Sequence, residues 1–67
     1  MRNSVIEAVF RQDVDGTWLV EVPSLPGCHT FGETLDEART HAQDVVRLWV
    51  ASDDITLHEV VEAAPAP

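Results

Sequence analysis

Apolar and polar residues alternate with period two in two stretches near the start of the chain. In Val5–Gln12, VIEAVFRQ, the residues Ile6, Ala8 and Phe10 fall on one face, and Glu7 and Arg11 fall on the other with Val5 and Val9. In Thr17–Val22, TWLVEV, the residues Trp18, Val20 and Val22 share a face opposite Thr17, Leu19 and Glu21. Both stretches are rich in β-branched and aromatic residues, which suit a pleated, half-buried surface, so both predict strands. Asp13-Val14-Asp15-Gly16 lies between them. It predicts a type I turn closed by a left-handed glycine, the common three-residue hairpin loop. Parity selects that loop length. A loop of Val14 to Gly16 sets Phe10 opposite Val20 and Ala8 opposite Val22, so both apolar sets share one face. A loop one residue shorter or longer would bury one set and expose the other.

The pattern breaks at VPSLPGC, where Pro23 and Pro26 lack the amide that a central strand needs. A short third strand is expected around Cys28–Phe31. Thr34 with Glu37 forms a capping box, each side chain satisfying an amide at the start of a helix. Leu35, Ala38, Ala42, Val45, Val46 and Trp49 then recur at spacings of three and four, which predicts one apolar helical stripe. Asp36–Arg39 and Asp44–Arg47 are spaced as i,i+3 pairs on the outer surface. The helix is expected to end between Ala51 and Asp54. The stretch ITLHEVVEA returns as a short fourth strand through Glu59–Glu62, and Ala-Pro-Ala-Pro is expected to be disordered. The architecture expected is α+β, an antiparallel β-sheet packed on one α-helix in the order β-β-β-α-(β). Residues 1–63 form the domain and 64–67 the tail.

The totals limit what such a domain does. The chain has 67 residues, near the small end for folding alone, where association often adds stability. A lone cysteine makes no internal disulfide. No apolar run approaches the roughly 18 residues of a membrane span, and MRNSVIEAVF does not read as a signal peptide. A cytoplasmic protein is expected. Four arginines, no lysine and twelve carboxylates give a net charge of −8. Scattered cations are poorly suited to a phosphate backbone, so no direct nucleic-acid binding is expected. The acidity suits a basic partner, or it serves solubility alone.

Several patterns resemble chemical sites and fail on spacing. Asp13-Val14-Asp15-Gly16 has the opening of a calcium loop, but the sixth and twelfth positions hold Trp18 and Ser24, where glycine and glutamate are required. Cys28 and His29 are adjacent, but a thiolate nucleophile needs a base and an orienting group placed in space. Cys28 with His29, His41 and His58 does not make a four-ligand zinc pattern. The expectation is a buried Cys28, a solvated His41, a surface His58, and Trp18 and Trp49 in the core. No catalytic residue, metal or cofactor is expected.

Taken together, the first strand, Asp15-Gly16, the strand ending in Val22-Pro23-Ser24-Leu25-Pro26-Gly27-Cys28, then Thr30, Gly32, Thr34-Leu35, Glu37-Ala38 and Ala42 resemble the HicB antitoxin family. The resemblance covers about residues 4 to 50, and LPGC followed by T-x-G-x-T-L-x-E-A is its most specific part. It implies a β-β-β-α-β domain with a partial ribonuclease H-like fold and no nuclease activity, associating as a homodimer or higher homo-oligomer. It also implies a small basic HicA toxin as partner, an RNA-cleaving protein whose catalytic histidine the antitoxin covers. Many members of the family carry a C-terminal DNA-binding domain, and a sequence ending in AAPAP is not expected to bind operator DNA. By exposure and charge, the partner contacts expected are Asp13, Asp15, Ser24, Pro26, Gly27 and Cys28. Two alternatives stand beside this reading. One is a solitary HicB-like oligomeric module without a toxin, and the other is a small enzyme or ligand-binding domain using Cys28 and His29.

Overall fold

The computed structural model describes residues 4–52 and 54–62. Its elements are β1 (Ser4–Gln12), β2 (Trp18–Glu21), β3 (His29–Gly32), α1 (Leu35–Val50) and β4 (Ile55–Glu62). They form an α+β fold, a four-stranded sheet in the order β3-β2-β1-β4 with α1 packed on one face. The tail at 64–67 lies outside the described residues.

The hairpin has the register that parity selects. Phe10 pairs with Val20, and Gln12 with Trp18. The Asp13 amide donates to the Thr17 carbonyl at 2.8 Å and the Gly16 amide to the Asp13 carbonyl at 3.0 Å. Gly16 has φ +92°, the left-handed backbone that closes the loop. Ile6, Ala8, Phe10, Val20 and Val22 consequently point to one side, where they join Cys28 and helical Ala38, Ala42 and Val46 as the buried core. Leu35, Val45, Ile55 and Leu57 pack around its margin.

The helix starts where the capping box places it. Thr34 is the N-cap, and its Oγ1 accepts the Glu37 amide at 3.1 Å. The Glu37 carboxylate returns the bond one residue earlier than expected, to the Glu33 amide at 2.9 Å. Gly32 makes the approach possible, because a Cβ there would collide with the Ala38 backbone. The first turn of α1 thus rests directly on the end of β3. The expected Asp36–Arg39 pair forms at 3.2 Å.

Three features differ from the expectations. The fourth strand runs over eight residues, Ile55–Glu62, and lies parallel to β1, so the sheet is mixed. The cause is the helix. Its sixteen residues carry the chain back along the sheet, so the next strand starts from the end where β1 starts. Alternation then holds along all of ITLHEVVE, and β1 offers a partner at every position. Trp49, expected in the core, is 50% exposed. It sits in the last helical turn beside the β2–β3 loop, with its ring Cη2 3.7 Å from where a Gly27 Cβ would stand. His41, expected on a solvated face, is half-buried, and its Nδ1 meets the Phe31 carbonyl oxygen at 2.6 Å.

Candidate partner-binding surface

The expected contact residues occupy two separate places. Asp13 and Asp15 stand exposed at the β1–β2 tip. Both carboxylates are engaged by the turn itself. Asp13 Oδ1 accepts the Val14 amide at 2.8 Å, and Asp15 Oδ1 accepts the Thr17 amide at 3.0 Å. The bond from Thr17 stabilises the ionised form and holds the Asp15 carboxyl below the usual carboxylate range. The tip therefore carries two fixed negative charges with their remaining lone pairs facing solvent.

Ser24, Pro26, Gly27 and Cys28 lie at the other end of β2, in the β2–β3 loop. At the ordinary strand rise, the residues between Thr17 and Pro23 set the two places about 20 Å apart. The loop is closed by its own backbone. The Val22 amide donates to the Cys28 carbonyl at 3.1 Å, the Leu25 amide to the Val22 carbonyl at 3.0 Å, and the Cys28 amide to the Leu25 carbonyl at 2.9 Å. Gly27 takes φ +88°. Ser24, Pro26 and Gly27 are exposed, while Cys28 is turned inward at 2% exposure, and burial raises its thiol pKa. The Cys28 side chain belongs to the core and does not contribute to the outer surface of the loop.

Cys28 and His29 also separate from one another. Alternation along β3 sends His29 to the uncovered face of the sheet, opposite Glu21. That face carries register pairs: Glu21 with His29, Glu7 with His58, Arg11 with Glu62, and the apolar pairs Leu19–Phe31 and Val9–Val60. Arg11 Nε lies 2.7 Å from Glu62 Oε1. A shallow groove of about 230 Å³ runs between Val9, Arg11, Leu19, Glu21 and His29. Among the described residues, no group of three or more His, Cys, Asp and Glu side chains is placed to hold a metal ion.

Two exposed apolar side chains stand outside the expected contacts. Phe31 is 60% exposed on the open face, and Leu48 is 82% exposed on α1 next to Trp49. The signals were present. Phe31 has the parity of His29 and not that of Cys28, and Leu48 lies four residues after the solvated Asp44. Among the described residues, no helix is long and apolar enough to cross a membrane.

Comparison with known sequences places this surface in a context. Residues 6–66 match the family model described as "HicB-like antitoxin of bacterial toxin-antitoxin system". The chain is similar to a UPF0150 protein of Archaeoglobus fulgidus, 43% identical over 42 residues that cover 63% of this chain and 61% of that protein. It is 39% identical over 44 residues to a UPF0150 protein of Thermoplasma acidophilum, covering 66% of this chain and 64% of that one. A Synechocystis UPF0150 protein is 33% identical over 48 residues, 72% of this chain and 70% of that one. The matches thus span less than two thirds of the length of the first two relatives. No solved structure matches.

Proposed function

Since the chain belongs to the HicB-like antitoxin family of bacterial toxin–antitoxin systems, we propose that it neutralises a HicA-type mRNA interferase in the cytoplasm by covering the toxin's RNA-binding and catalytic surface. The match over residues 6–66, which takes in the helix and all of the sheet but its first two residues, carries this reading. The charge supports it. A net charge of −8 complements a protein built to receive RNA, and complementary potential speeds encounter and favours the right partner. Asp13 and Asp15 at the hairpin tip, with Ser24, Pro26 and Gly27 in the β2–β3 loop, are the contacts we assign to the toxin. The action is one of binding without catalysis. The enzyme alternative needs a Cys28 thiolate beside a base, and burial works against the thiolate while alternation turns His29 to the other side of the sheet.

The test is co-expression with the small basic protein encoded next to this chain's gene, reading copurification and growth. Copurification with restored growth is expected. A toxic neighbour that stays toxic while this chain is well expressed would overturn the assignment.

A further inference from the structure

Glu21 ends β2 at the corner where the open face of the sheet meets the β2–β3 loop. Alternation divides this corner. Val22 and Cys28 turn into the core, while Glu21 and its register partner His29 turn to the open face. These two side chains are shared by two shallow grooves. The first, of about 230 Å³, has Val9 and Leu19 as its apolar lining. The second, of about 200 Å³, continues past Glu21 along Pro23, Pro26 and Gly27. The loop that forms the second groove is held in place from several sides. Three backbone hydrogen bonds close it, and each proline ring fixes a φ angle. From the helix, the Trp49 ring stands against Gly27.

We propose that Glu21 is the anchor of the partner interface, receiving a lysine or arginine side chain of a basic protein between the two grooves. The proposal rests on the reading of the β2–β3 loop as a toxin contact, and it adds the residue and the chemistry that hold the partner there. Charge selects the occupant. Glu59 is held by Arg39 at 3.0 Å, Glu62 by Arg11 at 2.7 Å, and Asp15 by the Thr17 amide at 3.0 Å. Among the described residues, Glu21 closes no ion pair and accepts no hydrogen bond. Arg11 attracts it only at longer range, because the guanidinium is turned to Glu62. In a chain of net charge −8, such a carboxylate draws a cation, and an anionic ligand is repelled.

The grooves suit the shape of that side chain. Lysine and arginine carry a charged head on an apolar stem. A stem lying on Val9 and Leu19, or on Pro23 and Pro26, brings its head to Glu21 from either side. The stem covers apolar surface and shields the ion pair from water, which strengthens it. The hairpin tip lacks this shielding, because Val14 between the two aspartates is 94% exposed, so a pair formed there is screened by solvent and salt. A loop already closed by its own hydrogen bonds also loses little freedom on binding. The two places therefore divide the work. The tip steers a basic partner during approach, and the corner at Glu21 retains it.

The experiment measures association and dissociation rates between the small basic protein encoded next to this chain's gene and three forms of the chain: unaltered, Glu21→Gln and Glu33→Gln. Glu33 is exposed beyond the other end of β3, so Glu33→Gln removes the same charge without touching either groove. Circular dichroism checks that both variants fold. Glu21→Gln is expected to dissociate about tenfold faster, whereas Glu33→Gln keeps the dissociation rate and associates slightly more slowly. Equal changes in the two variants would overturn the proposal, because net charge alone would then explain binding. A second measurement needs no toxin. Backbone amide shifts of the chain are followed by NMR during titration with the peptide acetyl-Leu-Arg-Leu-amide. Shifts are expected at Glu21, Gly27 and His29 and are expected to be lost in Glu21→Gln. Shifts centred on Asp13 and Asp15, or none at all, would overturn the site. If the neighbouring protein fails to bind the unaltered chain, the antitoxin reading falls, and the peptide titration still decides whether Glu21 receives a basic side chain.

Discussion

The two faces of the β1–β2 hairpin are made from alternate residues of the same short strands, yet they have opposite physical roles. On the helix side, Ala8, Phe10, Val20 and Val22 are at most 2% exposed. On the open side, Val5 is 68% exposed and Leu19 43%, and they stand among Glu7, Arg11 and Glu21, with Phe31 of β3 beside them at 60%. A single-residue slip in register would exchange the two sets, so the difference between the faces is what fixes the register. The covered face specifies the fold. The open face and the hairpin tip carry charged side chains that the covered face could not bury.

This division is broken most directly by truncating one aromatic from each face. Phe10→Ala removes a fully buried ring and is expected to cost about 3–5 kcal/mol. A domain of this size rarely has more than about that to lose, so the variant should be unfolded by circular dichroism at ambient temperature. Phe31→Ala should change the urea midpoint only slightly, within the about 0.5 kcal/mol usual for exposed sites. Equal losses at the two positions would mean that the open face is also covered in the folded protein.

The junction of the covered face with the helix comes next. Gly32→Ala drives a methyl into the Ala38 backbone and is expected to cost about 1–3 kcal/mol, the range for overpacking a tight contact. Thr34→Ala removes the cap on the Glu37 amide and should cost about 1 kcal/mol in a thermal or urea melt. The smallest effect is at the tip. Asp15 has a folded-state pKa below its unfolded value, because the Thr17 amide stabilises its charge. Its contribution is therefore present above the ordinary carboxylate range and is lost as pH falls through the folded-state pKa. Asp15→Ala should be less stable than the unaltered protein near neutrality, and the difference should vanish in acid. A difference that persisted in acid would assign the loss to something other than this charge.

How much of this was legible in the sequence depended on whether an interaction is local. The three-residue loop followed from parity, because one glycine and two alternating strands leave a single consistent register. The helix start followed from Thr34 and Glu37, two residues whose capping bonds stay within the short segment 33–37. Non-local geometry was not legible. Periodicity placed Trp49 on the apolar stripe, but it does not say where the packed neighbours stop, and the ring instead lies against Gly27 at the margin. His41 reads as a helix-surface residue until β3 brings the Phe31 carbonyl to it. The parallel direction and full length of β4 depend on where a sixteen-residue helix sets the chain down. Among the candidate contacts, composition and turn residues located both loops. They did not show that Cys28 points inward or that β2 separates the two loops.

We propose that this chain and RNA compete for one surface of a basic ribonuclease. The direct measurement is binding of a short RNA to a catalytically inactive form of the partner toxin, titrated with this chain at several salt concentrations. Mutually exclusive binding is predicted, with displacement weakening as salt rises. A stable ternary complex, with RNA retained while this chain is bound, would contradict it.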